Sequence, residues 1–434
     1  MTTDSEPPPL GENAESPAGS AQHAPTTSGS EEDTSTGYGA VFSVREYRPI
    51  FVAHVLSVLG SVFADVALAV LVFRQTGSAL LTALVFAFGM LPYALSGVLL
   101  SGIADRYPAR RILVVCDLLC AAFVSVMVIP GTPIAVLFVM RVCVALATPL
   151  FTGTRAASLV DILQGDLYVL GRSLVRIVSQ GAQIVGSGIG GLVLVWLSPR
   201  SALCLTVGTF LTSAVLLRFG TTSRPARVSG GGAMMRQSIA SAGQLLGNPR
   251  TRALLLMWWV PPMFFVAAEG VGAPFADAAG AGPVGFGLFL AAMPAGTVAG
   301  EVLAGTLFSP LTRDRIALPL AAVSLLPMAA FVVHPALPVA ITLLLFTGLC
   351  AAYTLGMDKW FVDEVPEEMR GRAMSLLGAG IMTLQGLGAA AGGAIAEWVP
   401  PYVVLCGAGT LGTFMVLGVL RSVHRTRPGV VTAA

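Results

Sequence analysis

From Gln183 to Pro199 the chain reads QIVGSGIGGLVLVWLSP. Its Gln183, Gly186, Gly190, Gly191, Trp196 and Pro199 recur 202 residues later as Gln385, Gly388, Gly392, Gly393, Trp398 and Pro401. Ser173-Leu174 and Ser375-Leu376, Thr152 and Thr354, Asp161 and Asp363, and the acids Asp166 and Glu368 keep the same offset. Alanine and leucine matches carry little weight in an apolar chain. A Gln, a Trp, an Asp and a Gly-Gly pair in one register mark an internal duplication of about half the chain. Two lobes of like architecture are therefore expected.

Hydropathy says what each lobe is made of. Of the 434 residues 55% are hydrophobic and 11% charged, against about 25% charged in soluble domains. Apolar runs predict twelve helices, roughly 49–73, 78–103, 111–130, 133–154, 171–197, 200–219, 251–274, 283–308, 315–333, 336–357, 373–397 and 400–421. Each is long enough to cross a bilayer. The fold class expected is an all-α polytopic membrane protein, with twelve transmembrane helices in two pseudo-symmetric six-helix lobes at 45–219 and 251–421. Residues 220–250 form the inter-lobe linker, and its amphipathic piece Met234 to Leu246 is expected on the membrane surface. Residues 1–44 carry seven acids and no Lys or Arg, which predicts a disordered tail with no signal peptide. Residues 422–434 form a second tail.

Basic residues set the orientation. The chain has one lysine, Lys359, and 24 arginines. With the N-terminus inside, the outer loops hold only Arg74 and Arg200, while the inner segments hold most of the rest. Both termini are therefore expected in the cytoplasm of a cell-membrane protein. The six cysteines are scattered through apolar segments without a CxxC and read as inert packing residues. His23, His54, His334 and His424 lie far apart. No metal site, ATP-binding GxxxxGK[ST] motif or nucleophile–base pair is found, so no cofactor, metal or enzyme activity is expected.

Charges inside membrane helices are costly and so mark candidate sites. Asp65 and Glu269 are separated by 204 residues, and so are Arg48 and Arg252. Each acid lies 17 residues past its arginine, about 25 Å along a helix, in the outer half of the membrane. Arg141, on the fourth helix, falls at a similar depth. An arginine beside one or two carboxylates couples protonation to pairing. The alternatives are an Arg141 that snorkels outward, an Asp65 paired only within its lobe, and a Glu269 exposed near a loop. Glu301 and Asp117 fall in the inner half, Asp117 as part of a cytoplasmic charge cluster and Glu301 as a structural partner or a proton site. Gln180, Gln183 and Gln385 can bond substrate or neighbouring helices. Phe63, Phe86, Phe88, Trp258, Trp259, Phe264 and Phe265 can wall a cavity or simply pack.

The loop after the second helix, SGIADRYPARRIL, is similar to the signature G-x-x-x-D-R-x-G-R-R of the major facilitator superfamily, with Asp105, Arg106, Arg110 and Arg111 kept. GTLFSPLTRDRI after the eighth helix is a decayed copy retaining Gly305, Arg313 and Arg315, and VPEEMRGRAMSL also resembles a segment of that superfamily. The glycine ladder resembles the antiporter motif G-P-x-x-G-G, with Ser187 in place of the proline. LSVLGSVFADVALAVLVFRQTGS and MLPYALSGVLLSGIADRY resemble the macrolide-efflux-like branch of drug:proton antiporters. The resemblance implies that the fifth helix faces the eighth and the eleventh faces the second. The ladder glycines, with Gln183 and Gln385, then form the lobe interface. It implies that helices one, four, seven and ten line a cavity. Asp105, Arg106, Arg110, Arg111 and Asp117 would form a cytoplasmic gate. The implied function is a monomeric exporter of amphipathic small molecules, drug or natural product, by proton antiport. Its partners are the substrate, protons and the lipid bilayer, with no nucleic acid. A siderophore or lysolipid transporter is the nearest alternative, and a transport-inactive scaffold is a more distant one.

Overall fold

The computed structural model describes residues 38–93, 107–164, 166–224 and 242–426. The expectations for the N-terminal tail up to residue 37, for Asp105 and Arg106, and for most of the amphipathic linker piece lie outside these residues. Among the described residues every regular element is helical. They are α1 (Tyr47–Thr76), α2 (Ala79–Met90), α3 (Ala109–Val128), α4 (Ile134–Ile162), α5 (Asp166–Trp196), α6 (Pro199–Gly220), α7 (Pro249–Ala278), α8 (Gly282–Leu307), α9 (Leu311–Val333), α10 (Leu337–Glu364), α11 (Arg370–Ala396) and α12 (Pro401–Arg425). Eleven are long and apolar enough to cross a membrane, and the described part of α2 is shorter. Each lies on one of the twelve apolar runs. Most of the described turns between them are short, and alternate connections gather at two faces. The face with the α4–α5 and α6–α7 connections holds most arginines and is called the basic face below.

Local chemistry sets the ends and breaks. Ser78 caps α2 by accepting from the Leu81 N–H, and Asn248 caps α7 by accepting from Arg250 and Thr251. In α7, Pro261 and Pro262 remove two amide donors, and the helix breaks at Val266 before resuming over Ala267–Ala278. Glu269 therefore sits in the first turn of a half-helix. Arg313 caps the C-terminus of α8, giving its guanidinium to the carbonyls of Ala304, Gly305 and Phe308. The decayed loop signature thus serves a helix end here. On the linker, Leu245 is buried in the lobe-two core and Leu246 packs beside it. The described end of the amphipathic piece therefore packs on protein, where a membrane-surface position was expected.

One core cluster joins α7–α12 through residues such as Leu254, Phe289, Phe331, Tyr353 and Leu405. Two others fill α1–α6, one of them reaching Val266, Phe286 and Ala389 across the seam. The seam divides the glycine ladder. A Cβ on Gly191 would lie 2.5 Å from the Pro283 carbonyl oxygen and 2.9 Å from Gly287 Cα, so α5 and α8 touch backbone to backbone. A Cβ on Gly393 would lie 3.1 Å from the Ala79 carbonyl oxygen and collide with Ala83, so α11 seats on α2. Gly287 and Ala83, like Pro283 and Ala79, are 204 residues apart. The two contacts are therefore copies of one another.

The other four ladder glycines do not meet the opposite lobe. Gly186 and Gly190 pack on Val62 and Phe63 of α1, and Gly388 and Gly392 pack on Met263 and Ala267 of α7. The expectation that the whole strip forms the lobe interface is corrected to Gly191 and Gly393. The reason is angular. Adjacent residues on a helix point about 100° apart, so the second glycine of each pair faces the other lobe while the first faces its own.

Candidate functional site

Between the lobes lies a cavity of about 590 Å³ bounded by residues of α1–α8 and α11. Lobe one contributes Asp65, Arg141 and Gln183, and lobe two contributes Glu269, Thr297 and Gln385. No α10 residue lines it, contrary to expectation. Gly296, Gly300 and Gly348 bring α8 and α10 into backbone contact, which places α8 in front of α10. Of the aromatic candidates, only Phe86 lines this cavity. Phe63 packs on Gly190 and Phe88 meets Phe138 edge to face. Trp259 bonds the Leu377 carbonyl, and Trp258, Phe264 and Phe265 belong to or pack against the lobe-two core.

Arg141 pairs with Asp65 at 2.8 Å, with the side chains 13% and 26% exposed. The guanidinium lies over Gly89 of α2, where any Cβ would collide with it. Its Nε is buried without a hydrogen-bond partner. Arg141 therefore points inward and does not snorkel. Glu269 is half-buried and lines the same cavity as this pair, within electrostatic reach of Asp65. The structure places Asp65, Arg141 and Glu269, all singled out from sequence, on one cavity. Sequence reasoning missed Gly89, whose only signal is a glycine within an apolar run.

The cytoplasmic cluster is rearranged. Asp117 is 2% exposed and buried within lobe one, where Ser57 and Ser213 bond it. It is not part of a surface cluster with Arg111. Its position nearly two turns further along α3 carries it past the helix end and into the bundle. Arg110 bonds the Thr221 carbonyl at the end of α6, and Arg111 lies over the Tyr107 ring. Both described arginines thus act within lobe one. The cross-lobe charge contact near the basic face is Arg176 of α5 with Glu301 of α8, at 4.0 Å, and Asp358 of α10 lies within electrostatic reach of both. Arg176 and Asp358 were not singled out from sequence.

At the opposite face a tighter cross-lobe contact exists. Glu397, just past α11, accepts from Ser78 Oγ at 2.6 Å and from the Leu80 N–H at 2.8 Å. A carboxylate of one lobe thereby completes the N-terminal cap of a helix in the other, where the helix dipole favours it. The Ser78 hydroxyl, and then the Leu80 N–H, hold the Glu397 carboxyl below its ordinary value. The ionised form makes the latch, so the latch is present above the ordinary carboxylate range and lost only as pH falls through the lowered value. Spin labels at positions 76 and 398 in a cysteine-free background are expected to report an unchanged distance between about pH 8 and about pH 5, since free Glu titrates near about 4.3. Glu397→Ala is expected to add a longer-distance population. An unaltered distribution in that variant would remove Glu397 as a latch.

A sequence model described as Major Facilitator Superfamily matches residues 50–333, well over half of the chain. The chain belongs to the Major Facilitator Superfamily. Solved transporter structures share its fold. A peptide transporter POT in complex with alafosfalin superposes with a TM-score of 0.66 at 14% identity, covering 90% of this chain and 98% of that one. A POT family transporter in complex with a thioalcohol-conjugated peptide gives 0.70 at 11% identity, covering 88% and 97%. The nucleoside transporter NupG gives 0.69 at 13%, covering 86% and 99%. At such identities the likeness speaks for the fold alone. No curated protein matches by sequence. In this superfamily member the fold and family are those of transporters, and the inter-lobe cavity is the candidate site.

Proposed function

We propose that this superfamily member is a proton-coupled exporter of amphipathic small molecules in the cell membrane, with both termini cytoplasmic. The observation that carries the reading is the Arg141–Asp65 ion pair in a cavity that also holds Glu269. Charges of both signs beside apolar walls suit a ligand with a polar end and an apolar body. Proton binding at Asp65 removes the negative charge paired with Arg141 and so competes with pairing, while proton binding at Glu269 removes a second negative charge within reach of Asp65. The macrolide-efflux-like branch remains the finer family reading, supported by the α1 and α2 sequence. The seam contacts and the Glu397 latch gather near the opposite face, which the arginine distribution assigns to the outside. This reading makes the described conformation closed outward.

In cells lacking their own efflux pumps, expression of the chain is expected to lower accumulation of a cationic amphipathic dye severalfold. A protonophore is expected to abolish that difference. Efflux that persists unchanged with the protonophore would sink proton coupling.

A further inference from the structure

Toward the basic face, lobe one holds a second polar cluster that the Asp65–Arg141–Glu269 group does not use. Asp117 of α3 accepts from Ser57 Oγ of α1 at 3.1 Å, and its other oxygen lies 2.5 Å from Ser213 Oγ of α6. Ser213 Oγ is also 3.2 Å from the Ala53 carbonyl oxygen on α1 and 3.0 Å from Ser57 Oγ. On α4, the 7%-exposed Arg155 bonds His54 Nδ1. His54 Nε2 faces Ser179 Oγ at 3.1 Å and the Val175 carbonyl at 3.3 Å. Arg155 can only donate, so the imidazole accepts at Nδ1, is neutral, and carries its proton on Nε2. Among the described residues no ion pair joins Arg155 to Asp117, although they are within electrostatic reach. Asp117, His54 and Arg155 all border the cavity.

The hydrogen-bond count decides what Asp117 holds. Each serine hydroxyl carries one proton. With Asp117 ionised, Ser213 must choose between the carboxylate and the Ala53 carbonyl. With a proton on the oxygen facing Ser213, three of the four contacts are made at once, against two when Asp117 is ionised. Ser57 donates to one carboxyl oxygen, the carboxyl O–H donates to Ser213 Oγ, and Ser213 donates to Ala53. Two serine protons face four contacts, so the cluster has room for a proton on the carboxyl. A buried carboxyl without an ion-pair partner also favours that arrangement, because an unpaired buried charge is costly.

We propose that Asp117 is a proton-binding site of lobe one, distinct from Asp65 and Glu269, with Arg155 as the counter-ion it acquires when its proton leaves for the cavity. On that step Ser213 turns from Ala53 to the carboxylate, and Arg155 is drawn off His54. One proton thereby changes contacts linking α1, α3, α4 and α6. The groups facing the site are His54 and Ser57 from α1, Arg155 from α4, Ser213 from α6, and Cys116 and Cys120 on α3 itself, Cys120 being also within reach of Arg141. Ser179 of α5 enters through His54.

The test is infrared spectroscopy of the full chain in lipid nanodiscs, reading the carbonyl stretch of protonated carboxyls against pH. The expected result is a band that is lost in Asp117→Asn, kept in Asp65→Asn and Glu269→Gln, and bleached as pH rises. Arg155→Gln is expected to move its midpoint upward by about one pH unit or more, since loss of a nearby cation favours the neutral acid. Should Asp117→Asn not fold, Ser213→Ala decides. It keeps the carboxyl and is expected to shift the band, and an unshifted spectrum overturns the proposal. Absence of any Asp117-dependent band between about pH 4 and about pH 9 also overturns it, because the group is then ionised throughout. The spectrum does not depend on transport, so protonophore-resistant efflux would leave this proposal standing.

Discussion

Asp65→Asn is expected to abolish pH-gradient-driven efflux while leaving a folded, membrane-inserted protein. Asn keeps the size of the side chain and one oxygen able to accept from Arg141, but it cannot bind and release a proton. The energetic question is whether the fold survives. Removing one partner of a buried ion pair costs about 3–5 kcal/mol, because the other charge is left uncompensated. Asp65 is 26% exposed to the cavity, and the amide still accepts a hydrogen bond. A cost of about 1–3 kcal/mol is therefore expected, below that range. In proteoliposomes, flux driven by an imposed pH gradient is expected to fall to background, while substrate exchange without a gradient persists. Glu269→Gln gives the comparison, since it alters the cavity charge without breaking the Arg141 pair. Full retention of gradient-driven flux in Asp65→Asn would remove Asp65 from the mechanism.

Gly191→Val is expected to lock the lobes apart at the opposite face. The added Cβ would meet the Pro283 carbonyl oxygen at 2.5 Å and Gly287 Cα at 2.9 Å. Both are backbone atoms of α8, so no rotamer change relieves the clash. Overpacking of this kind costs about 1–3 kcal/mol. Here the cost falls on one conformer, because the contact exists only where the lobes meet. Each 1.4 kcal/mol shifts a two-state population about tenfold, so the closed seam is expected to become a minor state. Spin-label distances across the α5–α8 seam are expected to lengthen and transport to fail. Gly190→Ala, one residue away, meets Phe63 of its own lobe at 3.2 Å. It is expected to lower thermal stability slightly and leave the seam distance unchanged. Equal effects of the two substitutions on seam distance would refute the division of the ladder between lobes.

Particular residues show how far the linear chain reaches. Twelve apolar runs, the duplication at an offset of 202 and the equivalence of Asp65 with Glu269 were readable because membrane length and internal repetition are one-dimensional. Matching depths put Arg141 near Asp65 as one of several readings, and it was the resemblance that implied a shared cavity. Arg141 also lacks a counterpart in the second half, where Leu343 packs against the lobe-two core. Depth said nothing of azimuth, and azimuth is where expectations failed. Asp117 was expected among surface charges, yet it is buried among Ser57 and Ser213. Arg155 was counted as a topology-setting charge, yet it is turned inward onto His54.

The sequence alone determined that the chain crosses a membrane repeatedly, that its two halves are copies, and which few charges lie within the spans. Hydrophobic length and charge cost decide those matters residue by residue. Only the tertiary structure decided which glycine of each Gly-Gly pair meets the other lobe, which α-helix Asp117 answers to, and that Glu397 reaches Ser78, 319 positions away in sequence. Those outcomes depend on the rotation of each helix about its own axis and on which helices become neighbours. Both are set by packing of all the helices together, and no local pattern encodes them.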